Sequence, residues 1–340
     1  TGSFDVFQRD TRDMLGPSVA LADFFGAVAP ETNNAEMRNR GWELTLQWRG
    51  KIGKDIDYSI GGSLSDATSE VTAYEGDGSD PANNWYKGKK VGEIWGYRAS
   101  GLIQTQEEAD EYNATYDLSY LSGQKWMPGD VKYINLDDNN KINNGTNTIG
   151  DMGDMTVIGN TTPRYQYTIN GSISWKGLSL SLMFQGVGKR DWCPAMNTSY
   201  FWGSGAYAQV TVFKEHLDYW TPENPNAYYP NPYTAGNQAV GKFRAKTSQK
   251  SDRYMQSAAY CRLKNLTISY DLPKTWIEKI HLTKAQVFFS GENLLTFTKL
   301  SNIFDPEGLF TQNSYGNALE QAGKNYPMTR VFSVGVILNM

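Results

Sequence analysis

Apolar and polar residues alternate with a period of two along several separate stretches of the chain, the pattern of a strand with two unlike faces. Between residues 164 and 176 the odd positions Tyr165, Tyr167, Ile169, Gly171, Ile173 and Trp175 are apolar or glycine, and every even position is polar. The phase restarts across Lys176-Gly177 with Leu178, Leu180, Leu182 and Phe184 opposite Ser179, Ser181 and Gln185, which predicts a tight hairpin. Trp42, Leu44, Leu46 and Trp48 alternate with Glu43, Thr45, Gln47 and Arg49, and Ile56, Tyr58, Ile60, Gly62 and Leu64 follow after about five residues around Gly50-Lys51-Ile52-Gly53. Further strands are marked by Leu266/Ile268/Tyr270/Leu272, by Ala285/Val287/Phe289/Gly291, and by the run Phe332, Val334, Val336, Leu338 and Met340. A weaker one covers residues 3 to 14.

About eight strands result, and the connections between them alternate in length. Those around residues 50, 177 and 273–282 are short, whereas those spanning 15–38, 73–162, 188–255 and 298–327 are long. In an antiparallel meander, alternate connections emerge at the same end, so all long loops lie on one side. Outer-membrane barrels have this asymmetry; a soluble sandwich or up-and-down barrel with one decorated end would share it. Trp42, Trp48, Tyr165, Trp175 and Tyr270 stand near strand ends on the apolar face, where the girdles of a membrane barrel place aromatic rings.

Composition narrows the function. The 340 residues carry 32 basic and 36 acidic side chains, a formal net charge of −4 with no basic stripe, which excludes nucleic acid as a partner. Mean hydropathy is −0.54 and no window approaches about 18 uninterrupted apolar residues, so no membrane-spanning helix is expected. Half-polar strands joined by polar loops give such a value, so it leaves a membrane barrel open. Aromatic residues make up 13% of the chain, while two Cys and two His supply little for disulfides or a zinc site. Thr1-Gly2-Ser3-Phe4 begins neither with Met nor with a signal peptide, so a mature product or a fragment is expected.

A set of segments resembles the SusC/RagA-like TonB-dependent transporters of the Gram-negative outer membrane, over essentially the whole chain. They are Arg12-Asp13-Met14-Leu15, Asn39-Arg40-Gly41-Trp42-Glu43-Leu44, Lys87-Gly88 with Gly92-Glu93-Ile94-Trp95-Gly96-Tyr97, Gly101-Leu102-Ile103-Gln104, and Gly129-Asp130-Val131-Lys132-Tyr133 with Val157-Ile158-Gly159-Asn160. Later come Trp220-Thr221-Pro222-Glu223-Asn224-Pro225, Tyr260-Cys261-Arg262-Leu263-Lys264-Asn265-Leu266, Gly291-Glu292-Asn293-Leu294-Leu295-Thr296 and Asp305-Pro306-Glu307, in the family's order. The resemblance implies an all-β fold, an antiparallel transmembrane β-barrel in which residues 1–340 are the C-terminal strands of a barrel of about 22 strands with long extracellular loops. It further implies an N-terminal plug and remaining strands outside this chain, and import of large nutrients, oligosaccharides or peptides. The implied partners are a SusD-like surface lipoprotein, TonB and outer-membrane lipid. The family's usual terminal aromatic is replaced by Met340. A reading from another class is a secreted carbohydrate-binding β-protein using aromatic loops.

Two local features suggest binding. Asn135, Asp137, Asn139, Lys141 and Asn143 form an EF-hand-like spacing of alternate positions suited to Ca²⁺, with Asp130, Asp151 and Asp154 nearby. Asn at positions where the family carries acids, and no Glu at position 12, weaken it; side-chain-to-backbone hydrogen bonds would hold such a loop without metal. The long loops are also rich in flat rings, and Trp192, Tyr200, Phe201, Trp202 and Tyr207 are the candidates for contact with a sugar or peptide, against the alternative that they pack on one another. No catalytic constellation is expected. His216 and His281 have no metal spacing, Glu107/Glu108 fall in an acidic, helical run from Gln104 to Tyr112, and Cys193 and Cys261 are expected as free thiols.

Overall fold

The computed structural model describes residues 1–16, 26, 30, 32–122, 124–196, 198–203, 210–232, 246–309 and 326–339. Eight long strands carry the frame: β1 (Gly2–Leu15), β2 (Asn33–Ile52), β3 (Ile56–Tyr74), β4 (Arg164–Trp175), β5 (Leu178–Lys189), β6 (Tyr260–Asp271), β7 (Lys284–Thr298) and β8 (Val331–Asn339). Each pairs antiparallel with its neighbour in sequence, so the order across the sheet is the order along the chain. The alternating short and long connections thus resolve into one meander with all its short turns at one end.

The expected closed barrel is not what forms. Among the described residues β1 and β8 are the two edges of an eight-stranded sheet, each paired on one side only, and no sheet closes on itself. Alternation and connection length report a meander, which looks the same open or closed. Closure is set by strand number, tilt and stagger, and a period of two contains none of these.

The turns follow local chemistry. Lys176 and Gly177 both take positive φ (47° and 88°), which matches the two-residue mirror-image turn that fits the strand twist. Between β2 and β3 the ladder runs on to Ile52↔Ile56, so the turn is Gly53-Lys54-Asp55, shorter than the pattern suggested, with Gly53 at φ 64°. Apolar Ile52 and Ile56 extend the pairing where the sequence showed Gly and Lys.

Register puts like residues side by side. Tyr58, Ile173, Leu180, Ile268, Phe289 and Val334 form one row across β3 to β8, and Ser59, Ser172, Ser181, Thr267, Ser290 and Ser333 form the next, on the other face. Both faces of this part of the sheet are largely open. Trp48, Ile60, Ile173, Trp175, Phe332 and Val334 are all exposed.

The hydrophobic core lies elsewhere, in a body built from the long loops. Three short antiparallel pairs, 93–97 with 155–160, 99–102 with 131–133, and 191–192 with 256–257, support it, together with helix α1 (Gln106–Thr115). Thr105 caps α1 by accepting from the Glu108 N–H, the Glu108 carboxylate accepts from the Gln104 N–H, and Glu107 and Glu108 complement the helix dipole in the first turn. The acidic run is therefore a helix start, as its composition predicted. Ala109 and Tyr112 turn inward from α1 onto Ile103, Trp126, Val131 and Tyr133.

Candidate functional site

The polar face of the sheet and the loop body above it form the candidate site. Hydroxyls and amides dominate that face. The Ser59 and Ser172 hydroxyls are 2.8 Å apart, and Ser179 donates to Ser174 at 3.0 Å. Such a surface offers uncharged donors and acceptors to a polar ligand.

The loop body is fixed to the sheet by a charged cluster. Arg262 on β6 is almost fully buried; it donates twice to the Asp305 carboxylate, each bond 2.9 Å, and through Nε to Thr296 Oγ1 at 2.8 Å. Lys264 donates to Glu307 at 2.7 Å, and Arg262 Nη1 lies 3.1 Å from Glu307 Oε1, an ion-pair contact without hydrogen-bond geometry. The register slips between Leu263 and Asn265, and this bulge lets Arg262 and Lys264 both reach the 305–307 segment. The sequence segments Tyr260–Leu266 and Asp305-Pro306-Glu307 are thus one device. Their complementary charges were the signal that could have joined them.

A second buried pair sits in the core of the body. Lys246 and Asp130, both buried, meet at 2.5 Å; Lys246 also donates to the Lys125 carbonyl at 2.9 Å and lies 5.5 Å from the centre of the Trp126 ring. Thr247 donates to the other Asp130 oxygen at 3.2 Å. Asp130, which the sequence offered as spare charge for a metal, is committed to this pair.

The EF-hand-like segment is closed by its own hydrogen bonds. Asp137 accepts from the N–H and side-chain amide of Asn139, Asn139 from the Lys141 N–H, and Asn143 from the Gly145 N–H. Asp138 and Asn140 take φ of 56° and 57°, conformations that Asn and Asp tolerate. Buried Asp154 accepts from the N–H groups of Leu136 and Asn143, and its burial pushes the carboxyl above the usual carboxylate range. Asp151 accepts from Thr146 and Gly153, which holds it below that range. Asn135 Oδ1 is buried without a partner among the described residues, and no group of three or more His, Cys, Asp or Glu side chains able to hold a metal occurs among them.

The aromatic candidates divide. Trp192, Phe201 and Trp202 are buried in the core, with Trp192 and Phe201 centroids 5.7 Å apart and Phe201 and Trp202 4.7 Å apart. Trp202 Nε1 donates to the Ala195 carbonyl at 2.9 Å. Tyr200 is half-buried against the same cluster, and Tyr207 lies outside the described residues. In this arrangement the three enclosed rings are spent on packing, and none presents a face to solvent. His216 ties the segment down. Its Nε2 faces the carbonyls of Tyr200 and Phe201 at 3.1 and 3.0 Å, Nδ1 accepts from the Phe213 N–H, and burial lowers its pKa. Both cysteines are free, and burial raises the Cys193 thiol to about 11.

Comparison with known proteins gives the chain its relatives. No family model matches it. TonB-dependent receptor P3 of Formosa agariphila is 28% identical over 355 residues, covering 99% of this chain and 32% of the relative. TonB-dependent receptor P26 of the same organism is 25% identical over 308 residues, covering 90% of this chain and 28% of the relative. Among solved structures, the RagAB peptide importer in its open-open state superposes with a TM-score of 0.68 at 20% identity, covering 100% of this chain and 32% of that one, and the RagAB peptide transporter with 0.64 at 19%. The chain is a distant homologue of TonB-dependent receptors and spans about a third of their length.

Proposed function

We propose that this chain is part of a TonB-dependent importer in the outer membrane of a Gram-negative bacterium, taking up a large nutrient, an oligosaccharide or a peptide, and performing no catalysis itself. Its partners in that reading are TonB, acting through the rest of the protein, a SusD-like surface lipoprotein over the loop body, and membrane lipid. The observation that carries the reading is the contrast between the two faces of one sheet. The apolar face runs on β3 from Ile56 to Leu64, about 27 Å at the rise of a strand, close to the roughly 30 Å of a bilayer's hydrocarbon core. Trp48, Trp175 and Tyr270 border it near the short turns and Trp42 and Tyr165 near the loops, where amphipathic rings prefer the interface. A secreted carbohydrate-binding protein would have little use for so wide an exposed apolar face, and the rings it would need are enclosed.

The hydroxyl face suits cargo that is polar and largely uncharged along its length. A weak Ca²⁺ site on Asn135, Asp137, Asn139, Lys141 and Asn143 belongs to the proposal, since the ion must compete with the turn hydrogen bonds already made there. The test is fractionation of cells expressing the full-length protein, followed by uptake of labelled oligosaccharide and peptide mixtures with and without TonB. Outer-membrane recovery and TonB-dependent uptake of one cargo class are expected; recovery in the soluble fraction would overturn the reading.

A further inference from the structure

Beyond the apolar rows, three hollows occur along β2, β3 and β4, and the two farther from the short turns are lined by Arg40, Lys90, Arg164 and Lys189. One of about 650 Å³ is walled by Leu44, Leu46, Trp48, Ile60, Leu64 and Ile169. A second of about 600 Å³ lies among Gln8, Arg40, Trp42, Asp66, Thr68 and Arg164. The third, of about 170 Å³, is bounded by Thr68, Ser69, Lys90, Asn160, Arg164 and Lys189, and shares Thr68 and Arg164 with the second. Ile60, Leu64, Asp66 and Thr68 have one parity on β3 and so share a face. From Ile60 to Leu64 is about 13 Å, and from Ile60 to Thr68 about 27 Å. One leaflet of hydrocarbon is about 15 Å thick.

The polar end is preformed. Tyr165 takes φ 53°, and Arg164 beside it gives Nε and Nη2 to the Asp66 carboxylate, which leaves the Nη1 hydrogens without a partner among the described residues. Lys90 pairs with Glu70, and Lys189 makes no ion pair among the described residues. Arg40, Lys90, Arg164 and Lys189 line the two polar hollows; Asp66 and Glu70 pair with Arg164 and Lys90, the Glu93 and Asp191 carboxylates accept from the Lys90 and Asn160 N–H groups, and the Thr68 and Ser69 hydroxyls stand beside Lys189. Asn160 and Thr162 both donate to the Val91 carbonyl, at 3.0 and 2.8 Å, and hold the rim.

We propose that these hollows form one site for an acyl lipid with a phosphate headgroup. The chains lie along the Leu46–Ile60–Ile169 wall, and Lys90, Arg164 and Lys189 hold the phosphate, arginine through paired N–H donors and the lysines as point charges. The inference rests on the outer-membrane reading above.

The full-length protein, in a phosphate-free non-ionic detergent, is titrated with dioleoylphosphatidate, dioleoylglycerol and inorganic phosphate. Phosphatidate is expected to bind about tenfold more tightly than dioleoylglycerol. The Lys90→Ala/Lys189→Ala variant loses that advantage but keeps its dioleoylglycerol affinity, which shows that it is folded. Lys176→Ala, at the turn end of the sheet, changes nothing. Equal affinity of the double variant and the parent for phosphatidate overturns the site. Inorganic phosphate binding as tightly as phosphatidate makes the hollow a free-anion site and overturns the lipid. Either result with protein recovered in the outer membrane sinks this inference alone; protein absent from that membrane sinks both it and the reading beneath it.

Discussion

The sheet and the loop body solve the same problem in opposite ways. The loop body encloses its own aromatic core, with Trp126, Tyr133, Trp192, Phe201 and Tyr254 all lacking solvent exposure or nearly so, and it satisfies most of their polar atoms internally. The sheet encloses almost nothing. Its ladder is complete between β1 and β8, yet its apolar side chains stay outside. A sheet face that is apolar and exposed is stable only against an apolar medium or partner. The two regions should therefore respond to different perturbations: the body to changes in its interior, the sheet to changes in what surrounds it.

The largest effect expected is inside the body. Asp130→Ala leaves the Lys246 ammonium buried without its carboxylate, a loss of about 3–5 kcal/mol. Hydrogen exchange should rise across 97–133 while the β4–β5 ladder keeps its protection. Equal loss in both regions would mean that they are one cooperative unit.

Ile60→Lys tests the other half of the comparison. If the apolar face meets hydrocarbon, this change costs about 2–4 kcal/mol in a bilayer, read as a lower unfolding midpoint in lipid. The same substitution at Ser59, on the opposite face, should cost far less.

A smaller effect concerns pH. Burial lowers the His216 pKa, so the folded state prefers the neutral ring that accepts from Phe213. The stabilisation is complete above the ordinary imidazole pKa of about 6.5 and is lost as pH falls through the lowered value. Local exchange around 200–216 should increase on acidification through that window, and His216→Gln should flatten the response. The smallest effect belongs to the 135–143 loop, where Ca²⁺ at millimolar concentration should slow proteolysis slightly and Mg²⁺ should not, because the larger ion tolerates irregular oxygen sets.

The strands were legible because each has one face apolar and one polar, and Lys176-Gly177 could be read as a hairpin from two residues. Closure was not legible, since pairing of the edge strands leaves no mark on the period. The loop body was only half legible. Its rings stood out in composition, but burial of Trp192, Phe201 and Trp202 depends on contacts with Tyr254 and Phe304, distant in sequence. The Arg262–Asp305 contact spans 43 residues and appears in no local motif.

The claim that the two faces of the sheet meet different media is tested most directly by paired cysteines in the full-length protein in its membrane. Ser172→Cys and Ile173→Cys are neighbours on β4 that face opposite ways. Labelling by a membrane-impermeant maleimide at Cys introduced at 172, with protection at 173 that detergent does not remove but a lipid-soluble maleimide overcomes, is the predicted result. Equal labelling of both positions by the impermeant reagent would contradict the account.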